Sequence, residues 1–465
     1  MKRAFAAAAM LLSAWVPAAA PAEIQHARLN KLNVVALDAQ GQPVAGLRSA
    51  DFQLFEDGKR QDIAFFRFTN RSGAQWHATV VLIDLLSERL VTESIIAQQV
   101  ADSLKNLESS DGLYLYLLTA RGDLYPIHPL PKPDTEATPA AEPWTRNAAP
   151  MLQTALKDLV HLKPVDDRDI KVRFDLSMRV LRDLRSRMAV VTGRKNLVWV
   201  TRGIPIVGFS ATAQSGLDFT DPLRWFGEEL QQAQIVMYTV DQSEAGSGTA
   251  EGTLDEFTSI TGGRGYSSGR ASDAIQQAIT DSRANYQIDY YSAALEPNGK
   301  HHKIRVTCGR KDVRLQTEHG FYAMAPLVAP SGPVPRAFAS RDLPPQAETA
   351  AHSPFDATEI GIRASVSPDS RFEVHIDAAD LMPRSTRNPD AGKVWVAFVA
   401  YGETLKPLPH PALVTLTPEQ FQAATHGDIE LRESIPIAPA TRKVRVIAFD
   451  AELDALGSVT IPMQH

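Results

Sequence analysis

The chain has 465 residues, 44% of them hydrophobic and 22% charged, with a formal net charge of −6 at pH 7. This length predicts more than one hydrophobic core, since single cores stop growing at about 250 to 300 residues, and the composition is that of a soluble globular protein. The mildly acidic charge excludes the basic surface that nucleic-acid binding requires, and the single cysteine, Cys308, excludes an internal disulfide.

Residues 1–22 predict a secretory signal peptide. Lys2 and Arg3 precede an apolar run that extends to Val16, and small residues follow as far as Ala22. We expect cleavage after Ala22 and a mature protein that is periplasmic or secreted. Because no later apolar run is long enough to cross a bilayer, we expect no membrane span.

Residues 23–75 predict a short N-terminal β unit. Alternating and apolar residues indicate strands at 32–37, 52–56 and 63–68. Asp57-Gly58 lies between two of the apolar runs, and an Asp-Gly pair in that position is a strong signal of a hairpin.

Residues 76–324 predict an α/β domain built on a doubly wound, mostly parallel sheet. Continuous apolar runs favour strands that are buried on both faces, and apolar residues at helical spacing predict the helices between them. The predicted strands are 79–84, 113–118, 196–200 and 235–240, with an antiparallel edge at 122–127; the helices are 92–107, 174–191, 223–232, 254–261 and 271–283. Residues 129–150 are interpreted as an exposed insertion, and 285–322 as three strands that close the domain.

Three of the predicted strands end on polar residues at the same edge of the sheet. The first ends on Asp84, the next on Thr201, and the third on Asp241. Open α/β folds bind ligands at the carboxyl ends of their strands, so we expect a binding face there. Its predicted residues are Asp84, Ser87, Thr119, Thr201 and Arg202.

This pattern resembles the von Willebrand factor type A domain, whose first strand ends in Asp-x-Ser-x-Ser and whose fourth ends in Thr-Asp-Gly. In that family the serines, a threonine and the aspartates hold a divalent cation, and a carboxylate of the partner completes its coordination. Here Leu86 and Glu88 stand in place of the two serines, and Arg202 in place of the second aspartate. The resemblance is to the bacterial exported branch, the von Willebrand factor A-related proteins, over residues 30–325. The segments that carry it are 51–59, 193–200, 261–263 and 299–304.

The altered motif argues against a resident metal. Asp84, Ser87 and Thr201 are the candidate ligands, but Leu86 and Arg202 put an apolar group and a positive charge where ligands belong. We therefore expect no cofactor, with Mg²⁺ or another divalent cation as the alternative.

A hypothesis for the missing cation follows from Arg202. Its guanidinium would replace the ion and pair with Asp84, because a buried aspartate at a strand end needs a neutralising partner. Arg121 or Arg89 could supply the same charge.

Residues 325–354 predict a proline-rich linker, because prolines recur there and periodicity vanishes. Residues 355–465 contain short strand-like segments at regular spacing, which is typical of a β-sandwich. Trp395 lies in an alternating strand, so we expect it in the core; an exposed Trp395 would favour a carbohydrate-binding surface.

Sequence signals of catalysis are missing, so we do not expect an enzyme. There is no Gly-x-Ser-x-Gly elbow and no His-Glu-x-x-His helix. His301 and His302 are adjacent, and a strand would point them to opposite faces, so we interpret them as part of a hairpin and not as metal ligands.

What the resemblance implies is an exported, non-catalytic protein-binding or adhesion module that uses the carboxyl edge of the sheet. The partner is a protein whose identity the sequence does not give, and the oligomeric state is also left open. The alternatives are a divalent-cation-dependent adhesion protein, and an exported enzyme or carbohydrate-binding protein that acts through the C-terminal β domain.

Overall fold

The computed structural model describes residues 28–70, 78–86, 90–105, 112–134, 143–159, 170–189, 191, 193–203, 207–208, 217–242, 251–267, 269–292, 298–323, 343–367, 370–382, 393–402, 408–415 and 428–463. The predicted signal peptide lies outside these residues, and so do Ser87, Glu88 and Arg89.

The N-terminal residues form four strands, whose bounds are β1 (Arg28–Leu37), β2 (Phe52–Glu56), β3 (Lys59–Gln61) and β4 (Phe65–Asn70). Asp57 and Gly58 connect β2 to β3 with φ angles of 49° and 78°. Two consecutive positive φ values are those of a type I′ turn, which matches the twist of the strands it joins. The predicted turn is confirmed, but its second strand is β3. The predicted strand at 63–68 corresponds to β4, which lies in a different sheet.

Residues 79–283 form the alternating α/β region. Its elements are β5 (Thr79–Asp84), α1 (Leu90–Lys105), β6 (Leu113–Leu118), β7 (Leu124–His128), α2 (Ala148–Leu159), α3 (Ile170–Met188), β8 (Lys195–Thr201), β9 (Val207–Gly208), β10 (Leu217–Asp218), α4 (Thr220–Gln232), β11 (Ile235–Asp241), α5 (Glu251–Thr261), β12 (Gly265–Tyr266) and α6 (Ala271–Arg283).

Six of these strands form one mixed sheet in the order β12-β11-β8-β5-β6-β7. Neighbouring strands are parallel except β7, which runs antiparallel to β6 at the edge. A core lies on each face. Val80 and Leu82 belong to the core that contains residues of α3, α4 and α5, whereas Val81 and Ile83 belong to the core that contains residues of α1, α2 and α6. Because side chains alternate between two buried faces along β5, its residues 80–83 are all apolar.

The predicted exposed insertion, 129–150, includes the first residues of α2, and the structure corrects this prediction. Ala148, Leu152 and Ala155 are buried in the core beneath α1. The spacing of these residues is helical, but the alanines are small and give little apolar contrast, and the prolines around them suggested a loop. Residues 135–142 of the predicted insertion lie outside the described residues.

The strands after the α/β region return to the N-terminal strands. They are β13 (Ala284–Ser292), β14 (His301–Cys308), β15 (Arg314–Gln316) and β16 (Gly320–Tyr322). The structure contains two four-stranded sheets, β15-β1-β13-β4 and β16-β14-β2-β3. The predicted boundary therefore divides this unit wrongly, because residues 284–322 belong with residues 28–70 and not with the α/β sheet. The α/β region is an insertion between the two halves of one β unit.

The C-terminal residues form the helix α7 (Pro345–His352) and the strands β17 (Ile362–Val366), β18 (Arg371–Asp377), β19 (Lys393–Tyr401), β20 (Leu408–Thr415), β21 (Asp428–Ser434), β22 (Lys443–Asp450) and β23 (Ala455–Pro462). The strands form two antiparallel sheets, β17-β18-β21 and β20-β19-β22-β23, which share one core.

The predicted linker contains α7, which corrects that prediction. Ala347, Ala350 and Ala351 of α7 are buried against the sheet that contains β19 and β22. Proline is accepted in the first helical turn, where its missing N–H has no partner to lose, so Pro345 starts this helix although prolines suggested a linker. The rest of the predicted linker, 325–342, lies outside the described residues.

Within the part of the chain that the structure describes, no helix combines the length and apolar composition needed to cross a bilayer.

Candidate functional site at the carboxyl edge of the sheet

The candidate site lies between β5 and β8, where the strand order reverses. From β5 the chain builds outward through β6 to β7, and then returns to the other side of β5 to build β8, β11 and β12. The connections after β5 and β8 therefore leave in opposite directions, which opens a crevice at their carboxyl ends. Asp84 is the last residue of β5, and Thr201 is the last residue of β8.

Asp84 and Thr201 contact each other directly. The Thr201 hydroxyl donates to Asp84 Oδ2 over 2.6 Å, and the other carboxylate oxygen accepts from the Leu86 N–H over 3.0 Å. Asp84 is 1% exposed and Thr201 is fully buried. Thr201 Oγ1 also accepts from the Gly203 N–H at 2.9 Å, so the pair fixes the backbone where both strands leave the sheet. The sequence prediction that these two residues converge is confirmed.

Thr119 takes a different role from the one predicted for the binding face. It is 2% exposed, and its hydroxyl accepts from the backbone N–H groups of Arg121 and Asp123, over 3.3 and 3.1 Å. These contacts hold the turn between β6 and β7. The hydroxyl therefore stabilises its own loop, and Thr119 contributes to the edge through backbone position.

Arg202 is half-buried, directly after β8. Among the described residues no ion pair joins it to Asp84, whose described hydrogen bonds come from Thr201 and from the backbone. The structure therefore does not show the pairing of Arg202 with Asp84 that the sequence suggested, because the carboxylate accepts from Thr201 and the backbone instead. Arg121 is exposed in the β6–β7 turn, and Arg89 and Ser87 lie outside the described residues.

Two further residues lie at this edge, although the predicted binding face does not include them. Arg173 of α3 reaches the Gly203 carbonyl oxygen with Nη2 at 3.5 Å, and it is half-buried. Asp241 lies beside Thr201 in the register of β11 and β8 and is also half-buried. The sequence predicts the strand end at Asp241. It does not predict the contact of Arg173 with this edge, because that contact depends on how α3 packs over the sheet.

The described donors do not fit a divalent cation at this edge. Mg²⁺ and Ca²⁺ require about six oxygen ligands, and here Asp84 and Thr201 already satisfy each other. Leu86, in place of a ligand serine, is 6% exposed and packs in the apolar core on the α3–α5 face. The described side chains therefore form a hydrogen-bonded strand-end pair and not a set of cation ligands.

Trp395 is half-buried and packs against the core that α7 covers. It belongs to β19, where Val394 and Val396 point into the other core. The described surroundings of Trp395 are thus those of a packed side chain.

Comparison with known proteins finds no matching family model and no matching curated relative. Among solved structures, the chain is similar to a von Willebrand factor type A protein from Catenulispora acidiphila, with 10% identity, 59% of this chain and 73% of that chain covered, and a TM-score of 0.30. It is also similar to the three N-terminal domains of the type V pili tip protein Mfa5 from Porphyromonas gingivalis, with 8% identity, 94% and 77% covered, and a TM-score of 0.26. A third is the pilus adhesin RrgA from Streptococcus pneumoniae, with 8% identity, 93% and 80% covered, and a TM-score of 0.23. At such identities and TM-scores the likenesses carry no information about what this chain binds.

The hydrogen bond between Thr201 and Asp84 gives a direct stability prediction. Thr201→Val keeps the shape of the side chain but removes the hydroxyl that donates to the buried carboxylate of Asp84. Hydrogen bonds to charged groups contribute about 1.5 to 3 kcal/mol, so we expect the opening free energy of β5 and β8 to fall by about that amount. Hydrogen–deuterium exchange of the amides in these strands measures it. Thr349→Val on the exposed face of α7 is the matched control, and equal exchange in both variants would contradict the prediction.

Proposed function

We propose that the chain is an exported, non-catalytic protein-binding module that uses the carboxyl edge between β5 and β8. In this proposal the α/β region is a doubly wound, von Willebrand factor A-like domain with a degenerate metal site, and the two C-terminal sheets form a β-sandwich. The mature chain is periplasmic or secreted after cleavage near Ala22.

The observation that carries the proposal is the buried contact between Asp84 and Thr201 at the point where the strand order reverses. In open α/β sheets this is the crevice in which ligands bind. Burial of a carboxylate at a strand end is costly unless it is hydrogen-bonded. Here the pair also accepts from the N–H groups of Leu86 and Gly203, just beyond the two strand ends. Strand ends held in this way suit recognition of a partner surface better than closure over a small substrate.

The chemistry of the edge favours a partner that offers a carboxylate. Arg202 directly follows Thr201 and is half-buried, and no salt bridge joins it to an acidic side chain among the described residues. Arginine binds carboxylates in a bidentate manner. We propose that an acidic side chain of the partner binds Arg202 directly. In the von Willebrand factor type A family, by contrast, a divalent cation mediates the contact with the partner's carboxylate.

Capture of partners from a periplasmic extract tests this function. We expect the purified chain to retain a specific protein, and Arg202→Glu to lose it, because the reversed charge repels the partner's carboxylate. Arg310→Glu, in the exposed turn between β14 and β15, makes the same charge change far from the edge and should retain it. Equal capture by both variants would exclude this face.

The divalent-cation-dependent alternative is separated by thermal unfolding in EDTA and in millimolar Mg²⁺, Mn²⁺ or Ca²⁺. A rise in Tm that Asp84→Ala abolishes would support the alternative. If the Tm of Asp84→Ala rises with cations as much as that of the unmodified chain, the cations do not bind at the carboxyl edge.

A further inference from the structure

A second cluster of chemically active side chains lies in the β unit, remote in sequence from the carboxyl edge. Glu56 ends β2, Asp57 begins the hairpin turn, and His302 lies in β14. A ligand atom from each of these three residues lies within 4.8 Å of the other two. Among the described residues it is the one such group of three His, Cys, Asp or Glu side chains.

The register of the sheet explains why these residues meet. β2 and β14 are antiparallel, with Glu56 opposite Ile304. Directly opposed residues and residues two positions along a strand share one face of a sheet, so Glu56, Ile304 and His302 all lie on the face that carries the core. His301 falls on the other face and is exposed. The two histidines therefore do point to opposite faces, as predicted, and one of them faces acidic residues from another strand.

Asp57 holds the ring of His302 in place. Its Oδ2 lies 2.8 Å from His302 Nδ1, and its Oδ1 accepts from the Lys303 N–H over 2.9 Å. The ring also stacks on Phe321, with centroids 5.2 Å apart and an interplanar angle of 20°. A carboxylate on one ring nitrogen fixes the tautomer and orientation of a histidine, as in metal sites where the imidazole is a ligand.

Two atoms of the cluster are buried without a hydrogen-bond partner, and this is the observation that points to a ligand. They are His302 Nε2 and Glu56 Oε2. Glu56 is 4% exposed, and only its Oε1 is satisfied, by the Ser292 hydroxyl at 3.0 Å. A buried carboxylate oxygen that lacks a donor carries a desolvation cost with nothing to offset it. A cation is the group that would satisfy both a carboxylate oxygen and a neutral imidazole nitrogen.

We propose that Glu56 and His302 hold one divalent transition-metal ion, with Asp57 orienting the ring through its other nitrogen, and that the donor set favours Zn²⁺. Imidazole nitrogen with carboxylate oxygen suits zinc, whereas Mg²⁺ and Ca²⁺ prefer oxygen ligands alone. The carboxylate of Glu56 offsets part of the charge of the ion, and water molecules would complete its coordination. The ion would link β2 to β14, which are separated in sequence by the whole α/β region. A link that closes so long a loop reduces the conformational entropy of the unfolded chain and so stabilises the fold.

Metal titration of the purified chain tests this site. After treatment with a chelator, we expect calorimetry to show one Zn²⁺ per chain, a rise in Tm on binding, and a visible absorption band when Co²⁺ replaces Zn²⁺. His302→Ala should weaken Zn²⁺ affinity at least tenfold, and Glu56→Gln should do so by a comparable factor. His301→Ala removes the adjacent, outward-facing histidine and should leave Zn²⁺ affinity within about twofold. If Zn²⁺ instead bound at exposed histidines, this variant would lose affinity.

Circular dichroism and the Tm of each metal-free variant establish that it is folded. If Glu56→Gln does not fold, His302→Ala against His301→Ala decides the question alone. The proposal is overturned if no Zn²⁺ binds, if several ions bind with the same affinity in His302→Ala, or if His301→Ala loses as much affinity. None of these outcomes depends on the partner of the carboxyl edge, and Asp84→Ala should bind Zn²⁺ as the unmodified chain does.

Discussion

Gly263→Ala is expected to destabilise the α/β region by ~4 kcal/mol or more, which is beyond the range of ordinary substitutions. Gly263 follows the C-terminus of α5, where the chain crosses the middle of β11. A Cβ atom at this position would lie 1.7 Å from the Met237 carbonyl oxygen and 2.7 Å from its carbonyl carbon. Both atoms belong to the backbone of a central strand, so no change of rotamer relieves the overlap, and α5 or β12 must move away from the sheet.

Thermal unfolding and the soluble yield of the variant measure this effect. Gly265→Ala is the matched control, because it adds the same methyl group two residues further on. There the new Cβ meets only Thr239 Oγ1 at 3.5 Å, an ordinary contact. We expect Gly265→Ala to unfold close to the unmodified chain, and a Gly263→Ala variant that does the same would contradict the close approach of α5 to β11.

The same geometry explains a feature of the sequence. Gly262 has a φ of 72° after the last residue of α5, as expected for a helix that ends in a left-handed residue. The Thr-Gly-Gly segment, which supported the family resemblance, is thus a structural requirement of this crossing. It says nothing about a ligand.

Local sequence patterns predicted most of the elements near the candidate site. β6 and α6 occupy the predicted residues, and β8 extends the predicted strand by one residue at each end. Because parallel strands end at one edge, the contact between Asp84 and Thr201 followed from strand assignments alone. Its hydrogen bond did not, since it depends on the orientation of two side chains.

Long-range pairing is what the sequence could not supply. Alternation identifies β13 and β14 as strands but not their partners, which lie more than two hundred residues earlier in β1 and β2. For the same reason the pair His301-His302 looked unsuited to metal binding. The acidic residues that face His302 become neighbours only through the register of β14 against β2.

Stability is expected to decrease as pH rises from 5 to 8, because two carboxyl groups are buried in the β unit and its surroundings. Burial raises the pKa of Glu318 to about 7, although hydrogen bonds from Thr317 and the Asn33 N–H and the charge of Arg194 oppose the shift. Burial also raises the pKa of Asp289 to about 7, against the charges of Lys31 and Arg67 and a hydrogen bond from Gln287.

Both folded pKa values lie above those of the unfolded chain, so the folded state holds more protons between about pH 4 and 7. Its stabilisation is therefore complete below the unfolded pKa and is lost as pH rises through about 7. One pKa unit corresponds to about 1.4 kcal/mol, so each group should remove about 2 to 3 kcal/mol of unfolding free energy between pH 5 and 8. Burial of His128 lowers its pKa and acts in the opposite direction below about pH 6.5.

Glu318→Gln isolates one of the two groups, because glutamine keeps the shape and does not ionise. We expect the difference in unfolding free energy between pH 5 and pH 8 to shrink by about 2 to 3 kcal/mol, mainly through greater stability at pH 8. Chemical denaturation at both pH values measures it, with fluorescence and circular dichroism recorded together, since coincident transitions are needed to define one free energy. Glu348→Gln, on the exposed face of α7, should leave the difference unchanged. If Glu318→Gln retains the full dependence, Glu318 is already ionised in the folded chain, and a cation or a rearranged Arg194 must neutralise it.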